Sequence, residues 1–288
     1  MTPVETGLQA LERGHPEWKP WLAVIREVLA ETANRKWDVV VPVRERQHGK
    51  IPLLADAIVR LDEPVVGQLL DRLLGVARRS GSPKLATLEP TRRAGFDPLL
   101  LFEAALCQQS ERLEQAAAPL HADPEALQAI AALVPVPFLH ACNRRWASLK
   151  CEGWMEGYCP TCGAWPTFAE VRGIERSRCY RCGRCGSEWQ ANCLSCPYCG
   201  MRDHRELASL VPEKNGGSGV IDACKRCLGY VKTFTTLQGT PPPKILLDDL
   251  ASVDLDIAAL EQGYRRPTGS GYRLNVTVSP NGTRHVPA

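Results

Sequence analysis

Four pairs with the spacing Cys-x-x-Cys stand between residues 159 and 227: Cys159-Pro-Thr-Cys162, Cys182-Gly-Arg-Cys185, Cys196-Pro-Tyr-Cys199 and Cys224-Lys-Arg-Cys227. The two residues inside each pair let both sulfurs converge on one ion, and a tetrahedral thiolate site needs two such pairs from separate turns. One isolated pair would be weak evidence for a metal site. Four pairs in one short segment predict two sites of four cysteines each.

The order of the pairs along the chain indicates which cysteines share an ion. Between the first and second pairs lie 19 residues, and between the third and fourth lie 24, so each gap has room for a hairpin that folds back. This spacing is typical of zinc ribbons and rubredoxins. We therefore assign Cys159, Cys162, Cys182 and Cys185 to site one, and Cys196, Cys199, Cys224 and Cys227 to site two. A cross-brace, in which the first pair joins the third, is the competing arrangement. Glycine follows three of the pairs, and we expect it to take positive φ there.

Two further cysteines make the ligand assignment ambiguous. Cys179-x-x-Cys182 and Cys193-x-x-Cys196 overlap the chosen pairs, and we prefer the pairs that glycine follows. A bacterial iron–sulfur cluster needs a fourth cysteine three residues beyond the third, and after Cys185 the next cysteine is Cys193. A dithiol oxidoreductase would place its pair in a βαβ setting, which this segment lacks. The spacing thus favours mononuclear thiolate sites, and it does not separate zinc from iron.

Length and composition describe a globular protein of roughly two domains. The chain has 288 residues, 44% of them apolar, and its net charge of +3 does not demand a nucleic-acid or membrane partner. We expect no membrane span, and acidic residues interrupt any N-terminal signal pattern. We therefore expect a cytoplasmic location, where clustered cysteines hold metal rather than form disulfides. Cys107 and Cys142, outside the cluster, fit small buried positions in helices.

Residues 1–156 read as a helical domain. Apolar residues recur at three- and four-residue spacing, as on one face of a helix. The segments with this pattern are 21–32, 54–61, 66–74, 99–113, one that opens at Asp123-Pro124 and one that opens at Pro137. Asp97-Pro98 and Asp123-Pro124 suit an N-cap followed by the first helical residue. We expect a helical bundle with short connections.

The residue pattern changes near residue 150, and we predict an α+β chain. Residues 157–192 and 193–240 are expected to form two rubredoxin-like metal units. Each consists of a Cys-x-x-Cys turn, called a knuckle, then a hairpin and a second knuckle. Because their apolar core is thin, metal binding supplies much of their folding energy. Residues 241–264 follow as an acidic C-terminal helix, and residues 265–288 are expected to be disordered. The predicted fold is thus an all-α domain, tandem rubredoxin/zinc-ribbon-like four-cysteine domains and a C-terminal helix.

Five arginines near the first site raise the question of nucleic-acid binding: Arg172, Arg176, Arg178, Arg181 and Arg184. Zinc ribbons often contact phosphates, so a nucleic-acid binder is an alternative function. Residues 151–227 carry ten Lys and Arg against nine Asp and Glu, a balance of +1. We therefore expect a solvated strand pair without a basic face. His204 is expected to lie on the surface, since four thiolates already close the second site.

The combination of these motifs resembles the FdhE family of formate dehydrogenase accessory proteins. The matching stretches include Pro137-Phe-Leu-His-Ala-Cys142, Gly157-Tyr-Cys-Pro-Thr-Cys-Gly-Ala-Trp-Pro166, Arg181-Cys-Gly-Arg-Cys-Gly-Ser-Glu-Trp189, Cys196-Pro-Tyr-Cys-Gly200, Tyr230-Val-Lys232 and Asp248-Asp-Leu-Ala-Ser252. The order of four knuckles followed by an acidic helix is specific, whereas one knuckle alone is not. Cys179 and Cys193 depart from the family pattern.

The resemblance implies a cytoplasmic, non-enzymatic maturation factor that binds the catalytic subunit of a respiratory formate dehydrogenase and carries rubredoxin-type iron. Zinc in the same eight cysteines is the other metal. Asp248, Asp249 and Asp254 are candidate contacts to the partner, and an ordinary solvated helix face is the alternative interpretation. Besides the nucleic-acid binder, a rubredoxin-like electron-transfer protein remains an alternative function.

Overall fold

The computed structural model describes residues 2–81, 95–120, 123–211 and 219–281. The chain divides into two compact units, each built from several segments. The helical unit comprises Leu8–Val43, Leu54–Arg145 and Leu274–Ala288, and the metal unit comprises Met1–Gly7, Arg44–Leu53 and Trp146–Arg273. The main junction, near Trp146, lies close to the predicted boundary at residue 156. The N-terminal segment Met1–Gly7 belongs to the metal unit, and the C-terminal segment Leu274–Ala288 belongs to the helical unit. Neither assignment was predicted from the sequence.

The first half of the chain is helical, as the sequence predicts. Within the described residues its α-helices are α1 Pro3–Gly14, α2 Lys19–Thr32, α3 Glu63–Arg79, α4 Pro98–Leu106, α5 Ser110–Ala117, α6 Pro124–Leu133 and α7 Val136–Arg145. The side chain of Asp97 accepts a hydrogen bond from the backbone N–H of Leu99 at 2.8 Å, and Asp123 accepts one from Ala126 at 2.9 Å. Both predicted N-caps are therefore confirmed.

Residues 54–61 are not a helix, contrary to the sequence prediction. Within them, β1 Ile58–Arg60 pairs in parallel with β8 Thr277–Ser279, and Leu274 and Val276 beside β8 are buried. Apolar residues at 54, 57, 58 and 61 also fit a helical period, so only the neighbouring strand decides the conformation. The predicted disorder of residues 265–288 therefore fails for the segment around β8, while residues 282–288 lie outside the described residues.

One stretch, Pro124–Arg145, is long and apolar enough by length and composition to cross a membrane, which the sequence analysis did not anticipate. It corresponds to α6 and α7, and 72% of its most apolar window is buried inside the protein. A helix pair that packs its apolar side chains against other helices passes the same test as a membrane span. The stretch is therefore a core element of the helical unit.

The described part of the metal unit forms a six-stranded sheet. Its strands are β2 Phe168–Arg172, β3 Ser177–Arg181, β4 Glu188–Gln190, β5 Leu207–Leu210, β6 Gly219–Cys224 and β7 Tyr230–Thr236, in the spatial order β4-β3-β2-β7-β6-β5. Neighbouring strands are antiparallel except β2 and β7, which run parallel with Phe168 opposite Lys232. The two predicted metal units are thus two three-stranded ribbons within a single sheet.

The acidic C-terminal segment is helical but broken. It forms α8 Ile245–Leu250 and α9 Val253–Glu261, and the break falls at Ala251 and Ser252. Ala259 of α9 packs in one apolar cluster with Ile221 and Tyr230 of the second ribbon. The helix pair therefore covers one face of the sheet near β6 and β7.

Candidate metal centres

All four cysteine pairs adopt the same backbone turn. In each pair the carbonyl oxygen of the first cysteine accepts a hydrogen bond from the N–H four residues later, and its own N–H donates to the carbonyl five residues later. The donors to these carbonyls are Gly163, Gly186, Gly200 and Leu228, at 2.8–3.0 Å. The carbonyls that accept from the cysteine N–H groups belong to Ala164, Ser187, Met201 and Gly229, at 2.8–2.9 Å. Four copies of one turn therefore present eight thiols in equivalent geometry.

Positive φ at the residue after each pair is part of this turn. Gly163, Gly186 and Gly200 have φ of 68°, 76° and 71°, which confirms the expectation for the three glycines. In the fourth pair Leu228 takes the same conformation with φ of 58°, at a steric cost that glycine would avoid. The turn geometry thus persists even where the sequence does not favour it.

Site one gathers Cys159, Cys162, Cys182 and Cys185, whose sulfurs all lie within 4.8 Å of one another. The sulfurs of Cys159 and Cys185 are 3.5 Å apart, and those of Cys162 and Cys182 are 3.6 Å apart. All four residues are fully buried. Site one thus joins the first and second cysteine pairs along the chain. The described residues do not form the cross-brace, in which the first pair would join the third.

Site two gathers Cys196, Cys199, Cys224 and Cys227 with the same spacing. The sulfurs of Cys196 and Cys227 are 3.6 Å apart, and those of Cys199 and Cys224 are 3.7 Å apart. Unlike site one, this site reaches the surface, since Cys199 is exposed and Cys227 is half-buried. The two sites therefore differ in their access to solvent although their sulfur geometry is alike.

The sulfur positions fit a single tetrahedral ion in each site. Thiolates about 2.3 Å from a shared ion lie about 3.8 Å apart in a tetrahedron, whereas a disulfide would bring two sulfurs to about 2.0 Å. Burial raises the pKa of the Cys159 thiol well above its ordinary value, so a cation is needed to hold its thiolate in this buried cluster. The donor set therefore suits zinc or iron and does not distinguish them.

The five remaining cysteines belong to neither cluster, and one of them, Cys151, is half-buried near the start of the longest segment of the metal unit. Cys107 and Cys142 are buried in the helical unit, as the sequence predicts. Cys179 lies in β3, where the ladder pairs it with Glu170 of β2 on one side and Gln190 of β4 on the other. Cys193 is exposed on the loop between the ribbons. Neither Cys179 nor Cys193 belongs to a four-sulfur group of the described residues.

Three of the five arginines near site one form ion pairs inside the sheet. Arg172 and Arg181 both pair with Glu170, and Arg178 pairs with Asp222 at 2.8 Å. Burial opposes the charge of Glu170, but hydrogen bonds from Thr240 and the charge of Arg181 lower the pKa of that carboxyl. These guanidinium groups are therefore committed to carboxylates of the sheet. His204 is 83% exposed beside Asp203, as expected of a surface histidine.

The acidic helices hold a buried lysine that the sequence analysis missed. The ammonium of Lys232, on β7, is 0% exposed and lies 2.7 Å from Asp249 and 2.8 Å from Asp256. Arg266 pairs with the same two carboxylates at 2.6 and 2.8 Å. The only hint in the sequence is an excess of acid in one helix over what solubility requires. Of the three candidate contacts, Asp249 is thus committed internally, Asp248 pairs with Lys244, and Asp254 is exposed.

The turn at Gly163 provides a test of how tightly site one is enclosed. A Cβ added at Gly163 would lie 3.0 Å from the Tyr272 carbonyl oxygen, whereas a Cβ at Gly200 would meet nothing within 4 Å. Both glycines have positive φ, so the strain of an alanine, about 1 kcal/mol, is common to both. We expect Gly163→Ala to lower the free energy of unfolding by about 1–3 kcal/mol more than Gly200→Ala, measured by urea denaturation of metal-loaded protein. Equal losses would mean that the segment around Tyr272 does not enclose the turn.

Comparison with known proteins finds FdhE proteins, although no family model matches the chain. The chain is 29% identical over 233 residues to an FdhE homologue of Stutzerimonas stutzeri, which covers 78% of this chain and 72% of that protein. It is 29% identical over 255 residues to the homologue of Pseudomonas aeruginosa, with 83% and 74% covered. A homologue of Aquifex aeolicus is 32% identical over 117 residues, about two fifths of each chain.

A solved structure shows the same fold. The crystal structure of the FdhE protein from Pseudomonas aeruginosa matches with a TM-score of 0.54 and covers 93% of this chain and 92% of that one. The sequence identity in this match is 21%, so the match establishes shared architecture rather than shared chemistry. The match extends over nearly the full length of both chains.

Proposed function

We propose that the chain, which is similar to FdhE proteins over most of its length, is a member of that family and an accessory protein of a respiratory formate dehydrogenase. In this proposal it binds the catalytic subunit in the cytoplasm and is needed for the assembly and activity of that enzyme. The observation that carries the proposal is similarity to FdhE proteins over most of the chain, together with two four-cysteine clusters in the predicted order.

We infer a non-enzymatic role from the chemistry of the two clusters. An ion held by four protein thiolates has no open position at which water or substrate could bind. Site one is in addition fully buried, so no substrate reaches it. The clusters are therefore suited to hold the ribbons in shape, and the folded surface around them is what a partner would recognise.

The proposed metal is one ion in each cluster, either rubredoxin-type iron or zinc. The eight ligands are Cys159, Cys162, Cys182 and Cys185 in site one, and Cys196, Cys199, Cys224 and Cys227 in site two. When bound, such an ion supplies folding energy, because the thin ribbons bury little apolar surface without it. A visible absorption spectrum of protein purified with and without air would distinguish iron from zinc.

The acidic helices α8 and α9 remain a proposed contact with the partner. The ion pairs of their aspartates decide which residue is suitable for a test. Changing Asp249 would also break its ion pairs with Lys232 and Arg266, so lost partner binding could reflect damage to the fold. Asp254 is exposed in α9 and therefore tests the contact more cleanly. Weaker partner binding by Asp254→Asn, with an unchanged melting temperature, would support the contact.

The function is tested by deleting the gene. We expect respiratory formate dehydrogenase activity to disappear while the transcript of its catalytic subunit remains, because the proposed role lies after translation. A tagged copy of the present chain should restore activity and co-purify with the catalytic subunit from anaerobic, formate-grown cells. Full activity in the deletion strain, with no related gene to compensate, would refute the proposal.

The alternative of a nucleic-acid binder receives less support from the structure. Phosphate binding depends on several free cationic groups, and Arg172, Arg178 and Arg181 are paired with carboxylates. The alternative of electron transfer is favoured by one observation, the exposure of Cys199 at site two. A reversible one-electron wave in voltammetry of iron-loaded protein would support electron transfer.

A further inference from the structure

Each metal site has one overlapping cysteine, and the two overlapping cysteines differ in their setting. Cys179 stands three residues before Cys182 of site one, and Cys193 stands three residues before Cys196 of site two. The spacing Cys-x-x-Cys is that of dithiols that form a reversible disulfide. Whether either pair can close therefore depends on the backbone between its cysteines.

The pair at site one is held apart by the sheet. Cys179 lies inside β3, which is hydrogen bonded to β2 on one side and β4 on the other, as far as Arg181. Three residues of extended strand span about 10 Å, beyond the range of about 4.4–6.8 Å between Cα atoms that a disulfide allows. Burial also raises the pKa of the Cys179 thiol, which keeps it protonated and unreactive. Cys179 therefore cannot form a disulfide with Cys182, and it serves as a control for Cys193.

The pair at site two is not held in a strand ladder. Cys193 is exposed on the loop between β4 and β5, and the loop is anchored by backbone hydrogen bonds of Ala191 and of Cys196. Between these anchors the N–H of Leu194 donates to the side chain of Asn192, so residues 192–195 form a local turn instead of a ladder. This segment can bend to bring the two sulfurs together.

A cavity joins Cys193 to the ligands of site two. Cys193, Cys196 and Cys224 line the same recess of about 220 Å³, together with Arg178. The Arg178 side chain is nine-tenths buried, and its Nε has no hydrogen-bond partner, although its Nη2 pairs with Asp222 and donates to the hydroxyl of Thr233. An oxidant of the size of a peroxide can therefore enter the space between the free thiol and two metal ligands. The charge of Arg178 is paired with Asp222, which lines the same recess.

We propose that Cys193 and Cys196 form an oxidation switch that empties site two while site one keeps its ion. The Cys193 sulfur attacks hydrogen peroxide, so that an S–O bond forms, the O–O bond breaks and water leaves. The Cys196 sulfur then displaces hydroxide from the Cys193 sulfur, which forms the S–S bond and, with one proton, a second water. Two sulfurs are oxidised by two electrons in all and peroxide is reduced. Cys196 no longer binds the ion, and three ligands remain.

This inference rests on the proposed occupancy of site two, and it does not depend on the formate dehydrogenase partner. It gives site two a role that site one lacks, since the fully buried sulfurs of site one offer an oxidant no approach. A thiol reductant reverses the S–S bond and restores the fourth ligand. Metal content at site two would then follow the oxidation state around the protein.

The experiment uses the full chain loaded with zinc and exposed to hydrogen peroxide, with a chromophoric zinc indicator and peptide mass mapping. We expect half of the bound zinc to be released, a peptide that links Cys193 to Cys196, and recovery of zinc binding after reduction. Cys193→Ser should keep both ions at the same dose, and Cys179→Ser should behave as the unchanged chain. Both substitutions lie outside the two clusters, so both proteins should fold.

Two results would overturn the inference. Equal zinc release from Cys193→Ser would show that exposed Cys199 is oxidised without Cys193, and a link other than Cys193–Cys196 would show a different pair. A failure of the proposed metal occupancy is distinguishable, because the chain would then carry fewer than two ions before any peroxide is added. In that case the switch fails as a metal switch, whatever disulfide is found.

Discussion

Replacing Cys159 and Cys162 by serine is expected to remove one of two bound ions and to unfold the first ribbon. Both sulfurs lie in a fully buried cluster within 4.8 Å of their partners, and two neutral hydroxyls do not replace two thiolates. Structural zinc contributes about 10–16 kcal/mol to the folding of small thiolate domains, far more than ordinary substitutions change. The loss should therefore exceed what the thin ribbon can tolerate.

The measurement is metal content by atomic spectroscopy, together with circular dichroism of the double variant. Cys179→Ser is the matched control, since it removes a thiol from the same ribbon without touching the cluster. We expect the control to keep both ions. Unchanged metal content in the double variant would refute the ligand assignment, and loss of an ion from the control would show that the overlapping pair is the real one.

The cysteine clusters could be predicted from sequence because their determinants are local. Each knuckle is a turn of six residues whose cysteines, glycine and spacing are visible in one window, and the hairpin lengths then select the partner pair. The N-caps at Asp97 and Asp123 are local in the same sense, and they were found. Features that depend only on neighbouring residues in the chain can therefore be predicted from the sequence.

The features that sequence reasoning missed are fixed by distant segments. Strand β1 exists because β8, more than 200 residues later, pairs with it, and an apolar pattern that fits two periods could not reveal that partner. The parallel contact between β2 and β7 likewise joins residues about 60 positions apart and turns two expected domains into one sheet. Lys232 reads as a surface lysine in a strand until the acidic helices are placed over it.

The two ribbons are related by a shift along the sheet rather than by a two-fold axis. Each contributes three strands in the same spatial order, so the first strand of one ribbon meets the last strand of the other. This explains why the only parallel pairing in the six-stranded sheet occurs at the junction, since the strands within each ribbon are antiparallel. The repeated pattern of cysteine pairs in the sequence thus corresponds to two ribbons with the same strand order, placed side by side in one sheet.

Replacing Lys232 by alanine is the second change expected to have a large effect. The buried ammonium lies within 2.8 Å of Asp249 and Asp256, and it also donates to the backbone carbonyl of Asp249 at the end of α8. Its removal leaves two partly buried carboxylates with Arg266 as their remaining cation. Breaking a buried ion pair from one side costs about 3–5 kcal/mol, so we expect a loss of that size in the free energy of unfolding.

The loss of stability in Lys232→Ala should depend on pH with a definite sign. Burial opposes the charge of Asp256, but Arg266 and Lys232 lower the pKa of that carboxyl below its ordinary value of 3.8. The stabilising contribution is therefore present above about pH 4 and disappears as the pH falls through the lowered pKa. We expect urea denaturation at pH 7 to show the full difference between Lys232→Ala and the unchanged chain, and the difference to shrink at pH 3. Lys225→Ala, at an exposed lysine of the adjoining turn, should cost about 0.5 kcal/mol or less at both pH values. A loss at Lys232 no larger than this control would mean that the acidic helices do not depend on the buried ammonium.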